Sequence, residues 1–174
     1  MRDADISPCG TYRYWLERRW ADKGQPQVFV MLNPSTADAT VNDPTINRCI
    51  NYAKREGASG LIVVNLFAFR ATDPKELSLM TDLEIDIVGP QNAENIGMAL
   101  LTAQLYRRRV ICAWGANLHA VKPGAELVRR AKDFGVGLAC LGVSKAWAPK
   151  HPLYLKTTAP LQPYPHPMTD NRHL

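Results

Sequence analysis

Residues 27–34 read QVFVMLNP. Val28 to Leu32 form an unbroken apolar run, and Asn33-Pro34 stops it. A run this short, ended by a turn dipeptide, predicts a strand buried on both faces, as in a parallel sheet. Downstream, DPTINRCINYAKREG (43–57) predicts a helix. Asp43 suits the N-cap, Pro44 the first helical position and Gly57 the end. Ile46, Ile50 and Ala53 then share one face. GLIVVNLFAFR (60–70) predicts a second buried strand, followed by the loop ATDPKEL (71–77). The stretch from Pro90 to about Arg107 predicts a helix with Ile96, Leu100 and Leu101 on its apolar side. RVICAWG (109–115) predicts a third strand, AELVRRAKDFG (125–135) an amphipathic helix closed by Gly135, and VGLACLG (136–142) a fourth strand. GTYRYWLERRW (10–20) fits strand or helix. From about Ser144 the chain is rich in Pro, His and Tyr and predicts irregular structure.

Strands alternating with helices at this spacing are βαβ units. The expected fold is α/β: a three-layer αβα arrangement with a mostly parallel sheet of four strands or slightly more. Residues 1–174 are expected to form one domain, with 1–26 an N-terminal arm or added element and 160–174 an irregular tail. A mass of 19.4 kDa, 46% hydrophobic and 21% charged residues exclude a disordered or fibrous chain. The apolar runs are far below the ~20 residues that cross a bilayer. MRDADISPCG holds two acids and no apolar stretch, so no signal peptide is expected and a cytoplasmic protein is. Cys9, Cys49, Cys112 and Cys140 are scattered without zinc spacing, which favours reduced thiols and no metal. A charge of +5 permits a polyanionic partner without demanding one. The clusters Arg13, Arg18 and Arg19 and Arg107 to Arg109 read equally well as solvated surface.

In such a sheet a ligand binds beyond the carboxyl ends of the strands. The first strand delivers Asn33, Ser35 and Thr36 there, either as a turn or as amide, hydroxyl and N–H groups facing an anion. The second delivers Asn65, Phe67 and Arg70. Asn65 stands out because an amide inside LIVVNLF is costly unless hydrogen-bonded. It either ties down a neighbouring loop or reads a flat heterocycle. The third delivers Trp114, as core or as a shelf for a planar ligand, and Gly115, which ends the strand or lets the backbone approach closely. The fourth leads to His151-Pro152, with Lys145 and Lys150 making the region cationic. Asp38 and Asp43 are candidates to activate a water, and each also suits a cap or Asx-turn, the reading favoured for Asp73. His119 faces the cleft or solvent, and His166 and His173 carry little weight. No Ser-His-Asp, P-loop or GxGxxG arrangement occurs, so hydrolase-elbow, kinase and dinucleotide-dependent readings lack support.

The ordered blocks MLNPSTADA, DPT, NRC, VVNLFAFRATDP, AWG and HPLYL resemble an uncharacterised bacterial and phage family built around the same blocks. More distantly, the layout is similar to the uracil-DNA glycosylase superfamily. MLNPS resembles that group's GINPG block, which implies that Asn33 positions an attacking water. VVN resembles the strand whose Asn reads the base edge, which implies that role for Asn65. VICAWG resembles a strand ending in Trp-Gly, and His151-Pro152 the block whose His stabilises the departing base. Met31 and Ser35 stand where the GINPG block has glycine, and GVSKAWAPK separates the last strand from His151. The resemblance implies a base-recognising N-glycosidase-type hydrolase acting on a nucleobase in DNA or a nucleotide, without cofactor. The base would lie between an aromatic, Phe67 or Trp147, and Asn65. Asp38 or Asp43 would assist the water, and Lys and Arg would hold phosphates. The rival expectations are a non-catalytic nucleic-acid or nucleotide binding module and a small-molecule enzyme of nucleotide metabolism.

Overall fold

A computed structural model describes residues 1–73 and 75–165 of the chain. Seven strands form one sheet: β1 (Arg2–Ile6), β2 (Arg13–Arg19), β3 (Pro26–Met31), β4 (Gly60–Asn65), β5 (Val110–Cys112), β6 (Leu138–Cys140) and β7 (Gln162–Tyr164). Their order is β1-β2-β4-β3-β5-β6-β7. The four strands expected from the sequence, β3 to β6, lie side by side, and every pairing among them is parallel. The flanking pairings β1–β2, β2–β4 and β6–β7 are antiparallel, so the sheet is mixed rather than mostly parallel. Residues 1–26 supply β1 and β2, which settles 10–20 as strand rather than helix. Part of the tail expected to be irregular is β7, held by main-chain bonds along β6. His166 and His173 lie outside the described residues.

The helices are α1 (Pro44–Arg55), α2 (Lys75–Asp82), α3 (Asn92–Leu105) and α4 (Val121–Asp133). At α1, Asp43 Oδ1 accepts from Ile46 N at 2.8 Å, with Pro44 in the first turn, as the sequence signals require. The expected loop at 71–77 runs into α2. Asp73 and Glu76 cap its start reciprocally, Asp73 N donating to Glu76 Oε1 and Glu76 N to Asp73 O, both at 2.9 Å. α4 begins four residues before the expected start at Ala125, because Pro123 falls in its first turn, where the missing N–H costs nothing. No helix among the described residues is long and apolar enough to cross a membrane.

Alternate side chains of the interior strands feed two cores. Val28, Val30, Ile62, Val64 and Val110 pack with Ile96 and Leu100 of α3 and Leu127 and Ala131 of α4. Phe29, Met31, Leu61, Val63 and Ile111 pack with Ile46, Cys49, Tyr52 and Ala53 of α1. The chain therefore leaves β3 towards one face and β5 towards the other. Between those diverging loops, at the carboxyl ends of β3 and β5, the topology opens a crevice.

Candidate functional site

The crevice holds a cavity of about 530 Å³. Eight of the residues expected at the ligand edge line it: Asn33, Ser35, Thr36, Asp43, Asn65, Trp114, Gly115 and His151. The loop after β3 is laced to the loop after β4 by Leu66 N to Met31 O, Phe67 N to Leu32 O and Ala71 N to Pro34 O, all at 2.9 Å. Asn33 strengthens this seam, its Nδ2 donating to Pro34 O at 3.0 Å and Ala71 O at 2.8 Å. That commitment leaves Oδ1 as the acceptor Asn33 can offer. Asp43 divides in the same way: Oδ1 caps α1 while the carboxylate as a whole borders the cavity.

Asn65 ends β4 and is 2% exposed. Its backbone carbonyl accepts from Asn92 Nδ2 at 3.0 Å, and the same Nδ2 reaches Leu66 O at 3.0 Å. Asn92 is thus the asparagine that ties down the loop. The Asn65 side chain ties down nothing. Its Oδ1 accepts from Arg13 Nη2 at 3.5 Å, and its Nδ2 has no partner among the described residues.

His151 reaches the site through Gly115. Gly115 adopts φ +77°, which favours glycine, and its N–H donates to Pro149 O at 2.8 Å. The residues between β6 and His151 form a closed excursion: Val143 bridges Pro149, and Lys150 N donates to Gly142 O at 2.9 Å. The inserted GVSKAWAPK therefore returns the chain to where it left the sheet, and His151 lands beside the end of β5. Its Nδ1 accepts from Leu153 N at 3.4 Å, so the neutral ring carries its proton on Nε2. Burial holds its pKa below the ordinary 6.5, partly opposed by the charge of Asp43. At neutral pH the site thus contains an uncharged imidazole with one N–H to give.

Five expected residues lie outside this cavity. Asp38 Oδ1 accepts from Thr40 N, Thr40 Oγ1 and Val41 N at 2.7–2.9 Å, and these bonds pull its pKa down to about 2. It organises its own loop and is not among the residues that line the cavity. Phe67 is buried in the core and cannot stack on a ligand here, since an aromatic within an apolar run is first of all core. Arg70 turns away to donate to Gly10 O at 3.1 Å. Lys145 is exposed on the excursion, and Lys150 lines a smaller adjoining hollow with His151 and Tyr154. Trp114 is both core and wall. Its indole meets Tyr164 edge-on at 5.6 Å and separates the crevice from a second, mainly apolar cavity of about 390 Å³ that Trp147 lines. Asn117 and Tyr154 join the crevice without having been expected. Tyr154 is 84% exposed where it lines the crevice.

Arg13 is the larger omission. It lines the cavity at 2% exposure, and Nη1 donates to Ala37 O at 2.8 Å. Burial lowers its pKa to about 10, opposed by Asp43, so it stays charged at neutral pH.

Residues 13–153 match the model of a family described as "Protein of unknown function (DUF1643)". The chain belongs to this family. The DUF1643 match begins at Arg13 and ends at Leu153, spanning every cavity-lining residue except Tyr154. No curated protein and no solved structure matches the chain.

Proposed function

We propose that this DUF1643 protein is a base-recognising N-glycosidase-type hydrolase, acting on a nucleobase in DNA or a nucleotide, on a three-layer αβα fold of uracil-DNA-glycosylase type. The observation that carries the reading is the Asn65 amide nitrogen, which has no partner among the described residues and belongs to a side chain in the wall of the cavity that Asn33, Asp43 and His151 also line. A buried amide nitrogen left without an acceptor costs about 1–3 kcal/mol, a cost that a ligand oxygen removes on binding.

In this reading the base enters between Trp114 and Tyr154 and sets an oxygen against Asn65. Asn33 Oδ1 and Asp43 hold a water below C1′. The water oxygen bonds to C1′ while Asp43 accepts a water proton. The C1′–N bond breaks, and its electron pair goes to the base. The His151 Nε2–H donates to the oxygen on which that charge collects. The proton on Asp43 returns through solvent to the base, which completes a hydrolysis.

The test is a panel of oligonucleotides bearing uracil, hypoxanthine, mismatches and alkylated bases, together with free nucleosides, assayed for abasic sites and released base. Turnover of at least one substrate is expected, with Asn33→Ala and Asp43→Asn slower by on the order of 10²–10⁴-fold. A panel left intact by the wild-type protein sinks the hydrolase reading. Binding without turnover is a second reading, favoured by the hydrogen bond that commits Asp43 to capping α1. DNA affinity that survives Asn33→Ala, with no product from wild type, would select it.

A further inference from the structure

Two side chains in the cavity wall carry donors the protein does not use. Among the described residues, Arg13 Nε meets no acceptor, and neither does Asn65 Nδ2. Arg13 takes part in none of the ion pairs among the described residues, and Asp43, on the same cavity, offsets its charge without touching it. A lone buried guanidinium imposes polarity on an adjacent amide. Turned as it is, Asn65 sets its oxygen against Arg13 Nη2. Turned the other way, it would set two N–H groups against a guanidinium that can only donate, in surroundings where such repulsion is poorly screened. Nor can the strand end shift to relieve this, because Asn92 pins the carbonyls of Asn65 and Leu66.

An asparagine facing a ligand normally offers a donor or an acceptor by flipping. Held by Arg13, this one keeps its Nδ2 donors at a fixed place. We propose that Arg13 is a specificity-determining residue that acts through Asn65: it fixes the amide with its nitrogen presented to the ligand, so that the site takes a heterocycle carrying a ring carbonyl at that point and rejects one carrying an amino group. The inference rests on the base-binding reading above and adds what that reading leaves open. An amino-bearing base would bring N–H against N–H, with no rotation available to repair the clash. A carbonyl oxygen would instead gain negative charge as the glycosidic electron pair moves into the base, and the Asn65 donors, backed by the Arg13 cation, would hold it more tightly in the transition state than before it.

The experiment is titration calorimetry of the full chain with two matched pairs of free bases, uracil with cytosine and hypoxanthine with adenine. The wild-type protein is expected to bind the carbonyl member of at least one pair about tenfold or more tightly than its amino counterpart. Arg13→Met should shrink that ratio to about threefold or less, because the amide can then turn, while Arg13→Lys keeps most of it. Asn65→Asp supplies an arm that does not depend on the folding of the Arg13 variants. A carboxylate of the same shape pairs with Arg13 and removes both donors, so carbonyl ligands should lose about tenfold or more and amino ligands should gain. Equal wild-type affinity within both pairs overturns this inference and leaves the base site standing. A wild-type preference that Arg13→Met does not change overturns it too. Failure of all four bases to bind wild type overturns the base-binding reading, and this inference with it.

Discussion

Arg13 and Arg18 lie five residues apart on β2 and are equally hidden, at 2% and 3% exposure, yet they are used in opposite ways. Arg18 spends its guanidinium fully. Nε donates to Asn42 Oδ1, Nη1 to the carbonyls of Asp3 and Glu17, and Nη2 to those of Asp38 and Val41. It holds the loop after β3 against the sheet. Arg13 has one short bond, one long one and an idle Nε. Burial alone therefore does not distinguish a structural cation from one poised for a ligand; the tally of unspent donors does. The sharpest way to break the contrast is to replace each by Met and follow urea denaturation. Arg18→Met strands several acceptors and should cost about 3 kcal/mol. Arg13→Met removes a desolvated charge with few partners and should cost about 1 kcal/mol or less. Equal losses would mean that Arg13 is structural after all.

The neighbouring asparagines repeat the contrast on a smaller scale. Asn92 Nδ2 serves two backbone carbonyls, whereas Asn65 Nδ2 serves none. Asn92→Ala should lower stability by about 2 kcal/mol, by stranding both carbonyls at the end of β4. Asn65→Ala should lower it by about 1 kcal/mol or less while abolishing ligand binding. A stability loss at Asn65 as large as at Asn92 would put it back among the loop-tying residues.

How much of this was legible follows from where burial is decided. The four parallel strands announce themselves because both faces are covered, so VFVML and LIVV carry no polar residue. α1 is legible through Asp43 and Pro44, whose signals are local. The flanking antiparallel strands are not. Glu17 and Arg19 are only partly buried, and β7 is three residues, QPY, with no apolar run. Pairing partners decide those strands, and a partner is not a property of the segment itself. The site divides along the same line. Asn33, Asn65 and His151 could be picked out as polar groups at the ends of apolar runs or beside a proline. Arg13 could not, because an arginine in an ambiguous segment reads as solvated, and its burial depends on β4 lying alongside. Phe67 misled for the converse reason: its position in an apolar run already marks it as core.

Protonation gives the finest version of the contrast between a group used by the fold and one held for a ligand. Asp38 is the first kind. Its folded pKa, about 2, lies below the ordinary 3.8, so it contributes stability above pH 3.8 that drains away as pH falls towards 2. In the proposed reading His151 is the second kind. Its folded pKa is also depressed, below 6.5, but because burial disfavours the charged ring. On acidification the unfolded chain takes up that proton first, so stability starts to fall near pH 6.5 and has lost the His151 share once the folded pKa is passed. Thermal melts of wild type and His151→Gln between pH 7.5 and 5 should therefore converge as pH drops, and those of wild type and Asp38→Asn should converge only between about pH 4 and 2. Ligand binding separates the pair further. It should hold flat from pH 8 to 6.5, because the neutral Nε2–H is already the working form, and weaken only below that in wild type. In His151→Gln, whose amide does not titrate, the weakening should disappear. An acid limb that persists unchanged in the glutamine variant would assign the titration to another group and remove His151 from the site.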